Sequence, residues 1–426
     1  MAGQEYQYIS DILKEFYTPV IVNQMYKKSP VWALLKKKTA PYAGKRVVIP
    51  VRVAFTEAVG ALAANNYTLM SAQRNTYDQA WILMKRNYGR VMVDGFSIEA
   101  AKGKGGWIDV LQGEIEGNLD AFALDVDRQL MADGSGVLGI ALTTGSYSAV
   151  ITGPANLMGD INPTAAKWFR KGQLVDVYAS NKTSYKGYAQ VSSVVPSTHT
   201  VNFAAAPSGG ALADGDYFFK KGTYESSTAN GEMVGLEGII SAGNLNGGSD
   251  FENIDASAEI TWRSQVFNIA SLARPTGTNK PSTTTLTEAD IQADLDAIDN
   301  YSAGEPVDIA IMTKALRNKL IADQKLAYRT EVIELNAGWK AIKYSGGDVE
   351  LPIMGIKMCP TGRVYYLSQP HLALYVLKAL QWDDKLGGVI KGIAGMDAYE
   401  AWFKIYSNMG TNCRNSMGKS FGYTTS

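Results

Sequence analysis

Two cysteines, Cys359 and Cys413, and two histidines, His199 and His371, are the whole stock of thiols and imidazoles in this chain. A structural zinc site draws four such side chains from short spacings, and none of these four neighbours another in sequence. The thiols are therefore read as buried or inert. No disulfide framework is expected, and so low a cysteine count fits a reducing compartment. A serine triad would need one of the histidines. His199 falls in a turn between strand patterns, and His371 follows Pro370 and precedes an apolar strand, so both read as structural.

Four local strings mimic catalytic motifs, and each fails on context. Gly134, Gly136 and Gly139 have the G-x-G-x-x-G spacing, but that motif works between a strand and the N-terminus of a helix, and here it follows a helix. Gly418-Lys419-Ser420 looks like the end of a phosphate loop, yet Cys413 stands where the loop needs its first glycine. Ser135 lies between adjacent glycines, whereas a nucleophile elbow needs them two positions away. Asp383 and Asp384 are paired carboxylates that nothing in the sequence aims at a common substrate. No enzyme, cofactor or metal is expected.

The elements around these residues are easier to read. Ser29 before Pro30 signals a helix start through Val31, Leu34 and Leu35, closed by the basic run Lys36-Lys37-Lys38. That run reads as a solvated face or a contact for an acidic partner or nucleic acid. Val47, Ile49, Val51, Val53 and Phe55 alternate like a strand, and Trp81, Leu83 and Met84 mark a strand returning through Val93. Pro50 cannot donate to a ladder, which places the first strand at an edge. Two strands alone are marginal in water, so the ribbon needs another surface, and a neighbouring subunit is a good candidate. Phe55, Trp81 and Leu83 are its expected contact residues, exposed in a monomer.

Residues 107 to 131 carry the clearest signal. Ile108, Leu111, Ile115, Leu119, Phe122, Val126 and Leu130 recur at spacings of three and four, one apolar stripe on a helix. Asp109, Glu116, Asp120 and Asp127 mark the opposite face. At 1.5 Å per residue the helix is roughly 35 to 40 Å long, a spine stopped by Gly134 and Gly136. From 163 to 224 short strand patterns at Leu174–Tyr178, Tyr188–Val195, Thr200–Phe203 and Asp216–Lys220 predict an inserted small sandwich or barrel. Beyond a Gly- and Asn-rich passage, residues 260 to 390 read as mixed α/β. Thr287 and Thr313 cap two helices, Val307–Met312 is a buried strand, and further strands fall at Val349–Met358, Val364–Leu367 and Leu372–Leu377. A last strand pattern runs from Tyr399 to Tyr406.

At 426 residues the chain has room for two or three units with a sizeable core. Lysine plus arginine equals 41 and aspartate plus glutamate equals 41, so the basic excess of a dedicated nucleic-acid binder is missing. The N-terminus lacks a secretory signal and no apolar run is long enough to span a membrane, so a soluble intracellular product is expected.

One ordered combination is more specific than any motif. A helical arm precedes a long ribbon ending in Tyr88-Gly89-Arg90 and Ile98-Glu99-Ala100. A spine helix then closes with Arg128-Gln129-Leu130-Met131-Ala132-Asp133-Gly134-Ser135-Gly136. Cys359-Pro360, Val364-Tyr365-Tyr366-Leu367, Trp382-Asp383 and Gly395-Met396-Asp397-Ala398-Tyr399 follow in the C-terminal stretch. This order resembles the major capsid proteins of tailed double-stranded DNA phages, which share the Hong Kong 97-type capsid fold. The resemblance covers most of the chain and is weakest over 163 to 224.

The resemblance implies an α+β shell subunit. Its parts would be an N-terminal arm (1–44), an extended β-hairpin loop (45–95), a peripheral domain with the spine helix (96–162), an inserted β-module (163–224) and a return to the peripheral domain (225–284). An axial domain (285–395) and C-terminal strands shared between peripheral and axial parts (396–426) complete it. It also implies self-assembly into hexamers and pentamers, a separate scaffolding protein, a portal protein at one vertex, room for a decoration protein, and non-specific contact with packaged double-stranded DNA. No membrane partner is implied. The lysine-to-asparagine crosslink of some members cannot be matched residue by residue. From another class, a β-rich tail or adhesion protein is the alternative; the repeats or collagen-like shaft that would favour it are absent.

Overall fold

The computed structural model describes residues 30–38, 46–56, 58–62, 69–96, 106–153, 165–224, 231–245, 248, 250–269, 285–302, 306–324, 332–334, 340–346, 349–384 and 389–423. Ser29 and the side chains of Ile108, Asp109 and Leu111 lie outside the described set. The spine helix runs over Gly106–Met131. Ile115, Leu119, Phe122, Val126 and Leu130 are all buried along one stripe.

The opposite face is not uniformly solvated. Asp127 is only 4% exposed and Arg128 3%, because the segment around Glu232–Ile239 crosses the helix end. Gly235 permits that crossing, since a Cβ there would strike the carbonyls of Gln129, Leu130 and Ala132. The helix stops where Gly134 and Gly136 take φ of +79° and +77°, a left-handed turn that glycine adopts without steric cost.

Against the spine helix lies a five-stranded sheet of Lys36–Lys38, Leu372–Trp382, Ala398–Thr411 and Lys391–Gly392, with Lys85–Asp94 on the other side of Ala398–Thr411. Two expected boundaries move here. The strand expected to return along the ribbon as far as Val93 changes partner at Met84. Thr76–Leu83 pairs with Arg46–Ala54 in the ribbon, whereas Lys85–Asp94 pairs with Ala398–Ser407 in the spine sheet. Alternation continues through the switch, so periodicity alone could not locate it. Similarly, Leu372–Trp382 falls inside the span assigned to the axial domain, yet it pairs with Ala398–Thr411. The basic run, expected to close a helix as a solvated face or partner contact, forms a parallel edge strand on Leu372–Trp382 after a helix that ends at Leu34. Val31 and Trp32 of that short helix are buried in the main core.

A second, seven-stranded sheet has the order Gln265–Asn268, Gly418–Phe421, Arg363–Leu367, Ile309–Met312, Val349–Gly355, Lys340–Gly346 and Val332–Glu334. Its central strands are buried throughout, which is why they read as continuous apolar runs. Helices Glu288–Asp299 and Lys314–Gln324 accompany it. Thr287 caps the first in a reciprocal capping box with Asp290, and Thr313 Oγ1 accepts from Leu316 N–H in the second. Thr287→Ala should lower stability by about 1 kcal/mol, read from the denaturant midpoint at unchanged slope; an unaltered midpoint would mean the cap carries no load.

The inserted module is a closed barrel of six antiparallel strands. Its boundary at 163 is too late. Val137–Thr144 and Ser148–Thr152 are barrel strands, and Tyr217–Lys220 closes the ring by pairing with the first of them as well as with Leu174–Tyr178. A sheet of this size escapes exposed edges only by meeting itself, so the module needs both strands that precede residue 163. Its interior is filled by its own side chains, among them Val175, Val177, Val201 and Phe218. The main core, by contrast, is shared: spine-helix residues, Leu374 and Phe403 of the spine sheet, and Ile309, Ile311 and Tyr365 of the seven-stranded sheet form one cluster.

Candidate assembly surfaces

The ribbon has two unlike faces. Register pairs Val47 with Ile82 and Ile49 with Ala80, and this side packs on the body of the same chain. The other side pairs Val48 with Trp81, Arg46 with Leu83 and Arg52 with Tyr77. Val48, Leu83 and Tyr77 are exposed there, and Phe55 beyond the strand end is 73% exposed. Trp81 departs from expectation because it is only half-exposed. The Arg46 guanidinium stacks on its ring at 3.3 Å, and its main-chain N–H donates to the Glu252 carbonyl at 2.8 Å. Thr261 Oγ1 donates to the Val53 carbonyl on the opposite edge, so the base of the ribbon is tied down on both sides.

Apolar exposure concentrates on this part of the molecule. About half of the large apolar side chains exposed among the described residues lie between Val48 and Phe96, including Val59 and Leu69, each 82% exposed. Monomers rarely leave such a run uncovered, and an uncovered run marks an interaction surface.

The residues that mimicked catalytic motifs turn out to hold the fold together. Lys419 sits on the strand Gly418–Phe421, buried, with Nζ 2.5 Å from Glu237 Oε1. Arg363 Nη1 reaches the other carboxylate oxygen at 2.7 Å, and the Tyr365 hydroxyl donates to it at 2.5 Å. Burial alone would raise Glu237, but Arg363 and Lys419 outweigh it and hold the carboxyl at about 2. Ser135 Oγ donates to Asp133 within the turn after the spine helix. Cys359 is buried and its thiol is pushed up to about 12, which leaves no reactive thiolate near neutral pH. His199 occupies a turn at φ 53°, and His371 Nδ1 lies 2.8 Å from Asn412 Oδ1. Asp383 pairs with Lys391 and Lys404 rather than with Asp384. Among the described residues no group of three or more His, Cys, Asp or Glu side chains is placed to hold a metal ion.

Sequence reading missed Glu237, Arg363 and Arg414. Arg414 is fully buried, stacks on Phe251 at 4.1 Å and donates to the carbonyls of Ile239, Ser241, Gly243 and Trp262. Its partners are main-chain oxygens more than a hundred residues away, so no local spacing could announce it.

Helical spine, five-stranded sheet, ribbon and seven-stranded sheet together make a fold of the Hong Kong 97 type. The chain is similar to the capsid protein of cyanophage A-1(L), with 12% identity over 93% of both chains and a TM-score of 0.53. It also matches the SrpI encapsulin of Synechococcus elongatus PCC 7942, at 7% identity over 93% of this chain and 89% of that one, TM-score 0.45. A third match is the capsid of Myoviridae phage XM1, at 6% identity over 92% and 91%, TM-score 0.44. No protein-family model matches the sequence, and no curated protein matches it. No described helix is long and apolar enough to cross a membrane.

Proposed function

We propose that this chain is the major capsid protein of a tailed double-stranded DNA phage, building hexamers and pentamers that close into an icosahedral head. The observation that carries the reading is the fold shared with the cyanophage capsid protein over 93% of both chains. The apolar outer face of the ribbon supports it, since that face needs a cover. On this reading the spine helix and its sheet form the peripheral domain and the seven-stranded sheet the axial one. The ribbon is the arm laid over a neighbour through Phe55, Leu83 and the outer side of Trp81. The role is structural, with no catalysis. The partners are further copies, a separate scaffolding protein, a portal at one vertex and a decoration protein. Packaged DNA is touched without sequence preference, which suits a net charge of zero. Assembly would take place in the host cytoplasm and the product would be the virion shell.

The test pairs assembly with folding. Purified subunit, with and without scaffold, should give closed shells or hexamer rings by negative-stain microscopy; a monomer under every condition would overturn the reading. Phe55→Asp and Leu83→Asp should leave circular dichroism and melting of the free subunit unchanged, because both side chains already face solvent. Burial of each at a contact is worth roughly 1.5 to 3 kcal/mol, so the concentration needed for assembly should rise about 10- to 100-fold per contact. Shells formed at the wild-type concentration would mean the ribbon is not the arm. Trp81 is the poorer probe, since its Arg46 stack and its main-chain tie belong to the subunit itself.

A further inference from the structure

Between the spine helix and the barrel lies a groove of about 290 Å³ whose walls are rich in donors. Arg128, Lys167, Trp168, Arg170, Lys171 and Lys220 line it, with Asp125 the one carboxylate among the described residues of its wall. Two of these donors are buried and unused among the described residues: Arg128 Nη1 and Trp168 Nε1 have no hydrogen-bond partner there, and their residues are 3% and 8% exposed. Asp125 cannot serve them further. Arg128, Gln129 and Lys220 already engage it, and despite burial Arg128 and Lys220 hold its carboxyl at about 2. Lys167 Nζ is fixed at the mouth by the carbonyls of Lys357 and Cys359. Arg170 and Lys171 pair with no carboxylate among the described residues. Buried donors left unpaired cost about 1 to 3 kcal/mol each, and an acceptor entering the groove recovers that cost.

We propose that this groove receives a carboxylate from the helix Glu288–Asp299 of a second copy, a contact that rests on the shell-forming reading. The charge pattern favours this occupant. Residues 286–302 hold five acidic side chains and no lysine or arginine, and Asp296 and Asp299 are exposed, with no ion pair engaging them among the described residues. Asp125 on the wall disfavours a doubly charged phosphate. The unpartnered donors are sunk below the surface, where a single side chain reaches and a duplex backbone does not.

The experiment follows the Trp168 indole N–H in the full-length subunit by nuclear magnetic resonance, assigned with Trp168→Phe. A peptide of residues 286–301 should shift that signal saturably, with affinity falling about tenfold or more between about 50 and 300 mM salt. The shift should vanish in the double variant Arg170→Glu/Lys171→Glu. No shift, or the same shift in the double variant, overturns the proposal, as does a shift with inorganic phosphate and none with peptide. In assembly, Asp296→Lys/Asp299→Lys should reduce shell yield at least tenfold, and combining it with the groove reversal should restore it; failed rescue sinks the helix as donor. Peptide binding without any wild-type assembly would uphold the carboxylate site and overturn the shell reading instead.

Discussion

Glu237→Leu will lower the melting temperature by about 3 to 6 °C, several times the loss expected of Thr287→Ala. The substitution takes from Arg363 and Lys419, 2% exposed each, the buried carboxylate that they share. Breaking a buried pair from one side costs about 3 to 5 kcal/mol, and each kilocalorie is worth roughly 1 °C in a chain of 426 residues. Lys419→Met should cost less, because the Arg363–Glu237 pair survives it and a methionine fills the space. The same carboxylate sets an acid limit. Its folded value of about 2 lies below the ordinary 4.5, so the stability it contributes is complete above about pH 4.5 and is lost as pH falls toward 2. That difference is worth about 3 kcal/mol. Thermal melts of the wild type and Glu237→Leu should therefore converge as pH is lowered through this window. Parallel curves, or a neutral-pH change of under a degree, would show that the cluster is indifferent to Glu237.

The second large effect separates two deletions that look alike in sequence. Removing residues 165–222 behind a short Gly-Ser linker excises four of six barrel strands. It strands Val137–Thr144 and Ser148–Thr152 as a hairpin with Leu138, Ala141 and Ile151 uncovered. That chain should be insoluble. Removing residues 137–222 and joining Gly136 to Thr223 through two or three glycines should give a soluble subunit. The first and last barrel strands are hydrogen-bonded neighbours, so the cut ends already lie close together. The body loses the Lys220–Asp125 pair and the Lys167 anchor, both at the barrel's edge, and keeps its core cluster. Soluble yield and circular dichroism decide the matter, and equal behaviour of the two deletions would refute the closed barrel.

The periodic elements were legible because each carries its own pattern. Ile115 to Leu130 report a helix through spacing alone, Leu174–Tyr178 and Thr200–Phe203 report strands within a residue of their ends, and Thr287 reports its cap. What escaped was pairing. Nothing local says that Lys85–Asp94 leaves the ribbon for a strand some three hundred residues away, although Gly89 is a trace of it, since the Phe403 ring occupies the space a side chain there would take. The two strands before residue 163 escaped because a barrel announces closure only through its partners. Of the ribbon residues singled out, Phe55 and Leu83 are exposed and Trp81 is half-covered. The covering came from Arg46, thirty-five positions earlier. The ionic cluster was hidden because Lys419 sat inside a string that imitated a phosphate loop, and its counter-charge lay at Glu237.

The single apolar cluster that joins the spine helix to both sheets has a mechanical consequence. A helix and two sheets that share one close-packed cluster deform little against one another, and the cluster offers no seam along which one sheet could swing against the other. Curvature in any assembly of such bodies must then be absorbed outside them, in the ribbon and at the contacts between copies. In the shell proposed above, a change of radius would turn each subunit like a rigid tile and bend only the grout.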